Sequence, residues 1–251
     1  MSKVRALILR APGTNCDLET AFAFERAGAA TSLVHIAELI GHKRRLNDYQ
    51  IMAIPGGFTY GDDLGAGRVL ANEIRLKLGP DINRFIEDGR LILGICNGFQ
   101  VLVKAGILPG GQPPITLTNN DSGRFECRWV YLTANEENNC IFTRGIERLY
   151  LPVAHGEGKV VADPVVLPRL NVALYYSDEQ GNRAGYPYNP NGSVDNIAGI
   201  CDDSGRIFAL MPHPERHIRP SQHPLWTRHN IDGWGDGFKI FLNAVEWAKG
   251  L

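Results

Sequence analysis

The 251-residue sequence has little of what marks an exported, membrane-bound or nucleic-acid-binding protein. Its 26 basic and 27 acidic residues leave a formal net charge of -1, so no electrostatic footprint for a polyanion or a charged lipid surface exists. No apolar run approaches the ~20 residues of a membrane span, and the apolar stretch 6–9 is cut off by Arg10 and Pro12, too short for a signal-peptide core. The five cysteines (Cys16, Cys96, Cys127, Cys140, Cys201) are odd in number and form no CxxC pair. That argues against a disulfide framework and a zinc site, and fits a reducing cytoplasmic setting. The glycine-rich run YGDDLGAG at 60–67 matches neither a phosphate-cradling loop nor a dinucleotide fingerprint, so the chain is expected to hold no cofactor and no metal.

Apolar runs instead alternate with longer mixed segments. Residues 4–9, 32–35, 51–54 and 91–95 read as buried strands, with helices expected at 18–27, 37–46 and 68–87, the last broken at Gly79-Pro80. The second half reads as antiparallel strands at 124–133, 149–155, 160–162, 172–176, 197–201 and 207–211, with a tight turn at 203–205 and a closing helix over 237–249. Without repeat, linker or low-complexity tract, residues 1–251 are expected to form a single α/β domain. Its open, mostly parallel sheet would carry helices on both faces and an antiparallel extension.

The chemistry concentrates at Cys96. In RLILGICNGFQ (90–100) the cysteine stands between Gly94 and Gly98 at the seam of a strand and an apolar helix that stops at Gly106. This spacing predicts a nucleophile elbow, in which a strained turn holds the sulfur clear of the backbone at a helix N-terminus, where an anion is favoured. A thiolate nucleophile needs a base. Of His35, His42, His155, His213, His217, His223 and His229, His213 is best placed, because it follows an apolar strand in LMPHPER (210–216) with prolines on both sides. Glu215, two residues on in an extended chain, would face the same way and orient the imidazole. The alternation His213, Glu215, His217 also admits a metal reading, which lacks a further ligand cluster. Backbone donors complete the set: the strand 51–54 ends in Gly56-Gly57, so the N–H groups of Gly57 and Asn97 are expected to form an oxyanion hole. NPNGS at 189–193 and the segment 226–234 read as an ordinary turn and a surface loop.

Together GICNGFQ (94–100), PGGF (55–58) and HPE (213–215) resemble a class I glutamine amidotransferase domain across nearly the whole chain. PGTNCD (12–17), PGGFTYGDDLGAG (55–67), LPVAHGEGK (151–159), NPNGS (189–193) and MPHPER (211–216) narrow the resemblance to the glutaminase subunits of phosphoribosylformylglycinamidine synthase. Gly65 stands where that family's pattern carries an arginine. The resemblance implies that Cys96, His213 and Glu215 form a triad and that Gln100 and the backbone around Gly156 hold substrate glutamine. It also implies a large synthetase partner, which binds ATP and magnesium, and a small bridging subunit. A free-standing cysteine α/β hydrolase would carry its acid before its histidine, whereas here His213 precedes Glu215. A catalytically silent subunit of the same fold would have no use for an intact triad.

Overall fold

A computed structural model describes residues 3–110, 115–228 and 233–251. In chain order, β1 (Arg5–Arg10), α1 (Asp17–Arg26), β2 (Ala30–His35), α2 (Ile36–Ile40), β3 (Ile51–Ile54), α3 (Arg68–Lys77), α4 (Gly79–Glu87), β4 (Leu91–Ile95) and α5 (Asn97–Lys104) make the first half. There follow β5 (Thr116–Thr118), β6 (Glu126–Ala134), β7 (Arg148–His155), β8 (Lys159–Val161), β9 (Asn171–Ser177), β10 (Ile197–Cys201), β11 (Ile207–Leu210) and α6 (Phe238–Ala248).

Nine of the strands form one sheet in the order β2-β1-β3-β4-β11-β10-β9-β6-β7. The first five of that order run parallel, and the remaining four alternate. The burial of each strand follows from its place. β3, β4, β10 and β11 are buried at every residue, as strands covered on both faces must be, while β7 alternates buried and half-buried positions along its length. Helix α1 packs on α6 through an edge-to-face contact of Phe24 with Phe241, their centroids 4.9 Å apart, and α3 packs on α5.

The sheet order reverses direction at β1, so the crevice beyond the carboxyl ends of β1 and β3 is the topological switch point where open α/β sheets bind ligands. Two successive antiparallel reversals past β9 return β7 to the direction of the parallel strands. Its end, His155, therefore lies at the same edge as Cys96 after β4 and His213 after β11.

Two expectations are corrected. The helix expected over 37–46 stops at Ile40, because the chain turns at Gly41 and at His42, whose φ is 54°, before a short 3-10 turn at Leu46–Asp48. The strand expected at 160–162 does not join the main sheet: β8 pairs with β5, three residues too few and too polar to stand out in the sequence. His229 and part of the expected 226–234 loop lie outside the described residues. No helix among the described residues is long and apolar enough to cross a membrane, and all five cysteines are free.

The elbow rests on one close approach. A Cβ on Gly98 would stand 2.0 Å from the Ile54 carbonyl oxygen of β3, and one on Gly94 would stand 2.8 Å from the Gly98 carbonyl oxygen. Backbone cannot yield as a side-chain tip can. Gly98→Ala is therefore expected to destabilise the chain by at least ~1–3 kcal/mol, the usual cost of overpacking, read as a lower denaturation midpoint at unchanged m-value.

Candidate active site

Cys96 caps α5 with φ 51° and ψ -103°, a conformation that costs a non-glycine residue of order 1–3 kcal/mol. The ladder secures it, since the Cys96 N–H donates to the Leu210 carbonyl of β11 at 2.8 Å. The sulfur is almost buried and faces the Ala154 carbonyl of β7 at 3.8 Å. Cys96 lines a cavity of about 210 Å³ together with Gly57, Asp62, Gln100, Phe125, His155 and Gly156.

His213 sits behind this cavity, with 1% of its surface exposed. Its backbone N–H reaches across to the Pro152 carbonyl of β7 at 2.8 Å, and its Nδ1 meets Glu215 Oε1 at 2.6 Å, with both side chains buried. The contact was expected, but its cause differs. Residues Pro214–Arg216 form a 3-10 turn, not an extended segment, and that turn brings the carboxylate under the ring. Burial alone would lower His213, yet the Glu215 carboxylate, the Cys96 sulfur and Cys16 outweigh it and hold the imidazole well above its ordinary range. The other ring nitrogen, Nε2, has no hydrogen bond among the described residues.

Gly57 pairs with Thr14 in an antiparallel bridge, tied by Phe58 N–H to the Gly13 carbonyl at 2.9 Å and Asn15 N–H to the Gly56 carbonyl at 3.4 Å. In such a pair the bonds flank the bridged residues, so the Gly57 N–H points away from Thr14. A Cβ on Gly56 would fall 2.7 Å from the His213 ring. The two glycines thus serve different ends: Gly56 gives the imidazole room, and Gly57, at φ 150°, lines the cavity.

The Asn97 side chain ties several segments together. Its Oδ1 accepts from Thr59 Oγ1 at 2.7 Å, and its Nδ2 donates to Gln100 Oε1 at 2.9 Å and to Asp62 Oδ1 at 3.3 Å. The Gln100 amide in turn donates to the Glu157 carbonyl, so both ends of that side chain are already engaged within the protein. Gly156 lies against the cavity, and its carbonyl accepts from Asn120 N–H at 2.9 Å. Gly65 leaves space that a cation from another element fills: Lys104 Nζ stands 3.9 Å from where a Gly65 Cβ would be and donates to the Ala66 carbonyl at 2.5 Å. Burial, with help from Glu157, raises the Asp62 carboxyl above the usual carboxylate range.

Sequence reasoning missed several supports. Asn191 and Ser193 are not in an ordinary surface turn but are buried against Gly158 and the start of β8, Asn191 Nδ2 donating to the Gly158 carbonyl at 2.8 Å and Ser193 Oγ accepting from Val160 N–H at 2.9 Å. Cys16, buried, places its sulfur 3.9 Å from His213 Nδ1 and accepts from Arg216 Nη2 at 3.0 Å. Ligand atoms of Cys16, His213 and Glu215 lie within 4.8 Å of one another. The guanidinium on the sulfur and the hydrogen bond between His213 and Glu215 make this a poor cation site. His217, the third member of the alternation, turns away to the Tyr150 carbonyl at 2.8 Å.

The raised His213 makes a pH signature. Its protonated form is stabilised by folding, so that contribution is complete below about pH 6.5, the ordinary histidine value, and is lost as pH rises through the higher folded value. Denaturant melts across this range are expected to show the intact chain losing stability upward from about pH 6.5, and a Glu215→Gln chain losing distinctly less.

A model of the CobB/CobQ-like glutamine amidotransferase domain matches residues 3–248. A protein of Dehalococcoides mccartyi, phosphoribosylformylglycinamidine synthase subunit PurQ, is 64% identical over 99% of both chains. The protein of that name from Methanococcus maripaludis is 46% identical over 97% of both. Among solved structures, a chain of PurLQS from Thermotoga maritima superposes with TM-score 0.76 at 35% identity, covering 98% of this chain and 99% of that one. The chain belongs to the CobB/CobQ-like glutamine amidotransferases and, within them, to the PurQ subunits of phosphoribosylformylglycinamidine synthase.

Proposed function

We propose that this chain is the ammonia source of phosphoribosylformylglycinamidine synthase in purine biosynthesis, using Cys96, His213 and Glu215 to hydrolyse glutamine. The observation that carries this reading is the strained, cavity-lining Cys96 set before a buried His213–Glu215 pair. The Cys96 thiolate attacks the side-chain amide carbon of glutamine, and the oxyanion rests on the N–H groups of Gly57 and Asn97. His213, protonated and held by Glu215, delivers its proton to the departing nitrogen, so the C–N bond breaks and ammonia leaves a thioester behind. Water then gives a proton to His213 and adds to the thioester, releasing glutamate and restoring the thiolate.

The cavity of about 210 Å³ suits one amino acid and leaves no place for a ribonucleotide. Formylglycinamide ribonucleotide and ATP with magnesium would be handled on a synthetase subunit, with a small bridging subunit completing the assembly. The PurLQS structure from Thermotoga maritima, which contains a chain like this one, supports that arrangement. One sheet built from both halves of the chain supports reading residues 1–251 as a single amidotransferase domain. Within the cavity, Gln100 would position the glutamine through its pinned amide, and Gly156 through its backbone.

In the assembled synthase, Cys96→Ala is expected to abolish glutamine-dependent synthesis while ammonia-dependent synthesis persists. Stoichiometric labelling with a diazo-ketone analogue of glutamine should map to Cys96; an adduct on Cys16, Cys127, Cys140 or Cys201, with Cys96 untouched, would refute the mechanism. The isolated chain is expected to turn glutamine over slowly and to accelerate on docking with the synthetase. Equal turnover in both states would count against coupling.

A further inference from the structure

His155 is fixed so completely that its protonation can be read from its neighbours. Asn120 Nδ2 donates to the carbonyls of Arg124, at 2.9 Å, and His155, at 2.8 Å, so the Asn120 Oδ1 atom is an acceptor. That oxygen takes the Gly158 N–H at 3.0 Å and faces His155 Nδ1 at 3.2 Å. An oxygen can only accept, so Nδ1 carries the ring proton and Nε2 a free lone pair. The ring lies against Gly158, in the space a Cβ there would need, 2.4 Å from the Cβ position.

Nε2 is buried and has no hydrogen-bond partner among the described residues, and His155 is one of the residues that line the cavity beside Cys96. An unsatisfied buried acceptor is destabilising, and a bound donor would relieve it. Burial, with the neighbouring charge of His213, pushes His155 down to about 3. The ring is therefore neutral throughout the physiological range and can accept a hydrogen bond without giving up a proton.

We propose that His155 Nε2 accepts a hydrogen bond from the carboxamide NH₂ of bound glutamine and then from the ammonia that leaves it. This rests on Cys96 being the glutaminase nucleophile. The proton for the leaving nitrogen comes from His213, and His155 neither gains nor loses one. The consequence is twofold. The amide is selected over an ester, which has no N–H to donate, and ammonia leaves neutral, beside a group unable to convert it to ammonium.

The test compares two substrates in the assembled synthase, L-glutamine and the γ-methyl ester of L-glutamate, each followed by glutamate release. His155→Phe keeps a planar ring and removes the acceptor. It is expected to lower kcat/KM for the amide by roughly ten- to hundredfold and for the ester by less than about threefold. His155→Gln restores an acceptor and should keep the amide-to-ester ratio within about threefold of the unmodified chain. The ratio is internal to each variant, so packing damage, which lowers both substrates together, leaves it unmoved and overturns the proposal, as does an undiminished amide rate in His155→Phe. Ester and amide turnover that survives Cys96→Ala would instead remove the nucleophile assignment, a separate failure.

Discussion

The backbone at Cys96 is the constraint on which the site depends. A residue with φ 51° and ψ -103° does not persist by its own preference. It persists because its N–H is held by β11, its strand is paired on both sides, and its helix is pressed so near β3 that Gly98 has no room for a methyl group. The strain and the packing are one arrangement. The close approach that forbids a side chain at Gly98 belongs to the same strand-to-helix turn that sets Cys96 on the cavity wall.

Around that point the site divides into a charged rear and a neutral front. Behind the sulfur, His213 and Glu215 share a buried contact of 2.6 Å, with Cys16 and Arg216 beyond them. In front, Asn120 fixes the tautomer of His155, burial keeps that ring neutral, and Gln100 and Asn97 hold each other by a hydrogen bond. Proton transfer calls for a base whose charge is stabilised, and release of free ammonia calls for surroundings that do not protonate it. The two imidazoles sit in opposite environments: the Glu215 carboxylate holds His213 up, while burial and the neighbouring charge of His213 push His155 down.

Much of this was legible in the chain. The apolar runs marked ten strands, nine of them in the main sheet, closely enough to place Cys96, Gly57 and His213 at strand ends, and glycines two before and two after the cysteine announced the elbow. Other parts were not. Glu215 meets His213 through a 3-10 turn that no alternation rule describes, and β8 leaves the main sheet for a partner 43 residues earlier in the chain, Thr116 facing Val161 in a register whose shortest separation is Thr118 to Lys159. Asn191 and Ser193 look like turn residues because they are, yet they are buried against Gly158 and the start of β8, and burial of a polar turn depends on what packs against it.

The sequence by itself determined the chemistry on offer: a cysteine at a strand-to-helix seam, a histidine after a strand with a carboxylate nearby, and glycines where backbone must approach backbone. These are local matters, set by residue type and short spacing. Tertiary structure alone decided which groups share a field. That Asn97 ties Thr59, Asp62 and Gln100 together, that Lys104 fills the space beside Gly65, and that Asn120 fixes the tautomer of His155 are contacts between segments far apart in the chain. Protonation states and hydrogen-bond direction follow from distances between such segments, and distance is what folding supplies.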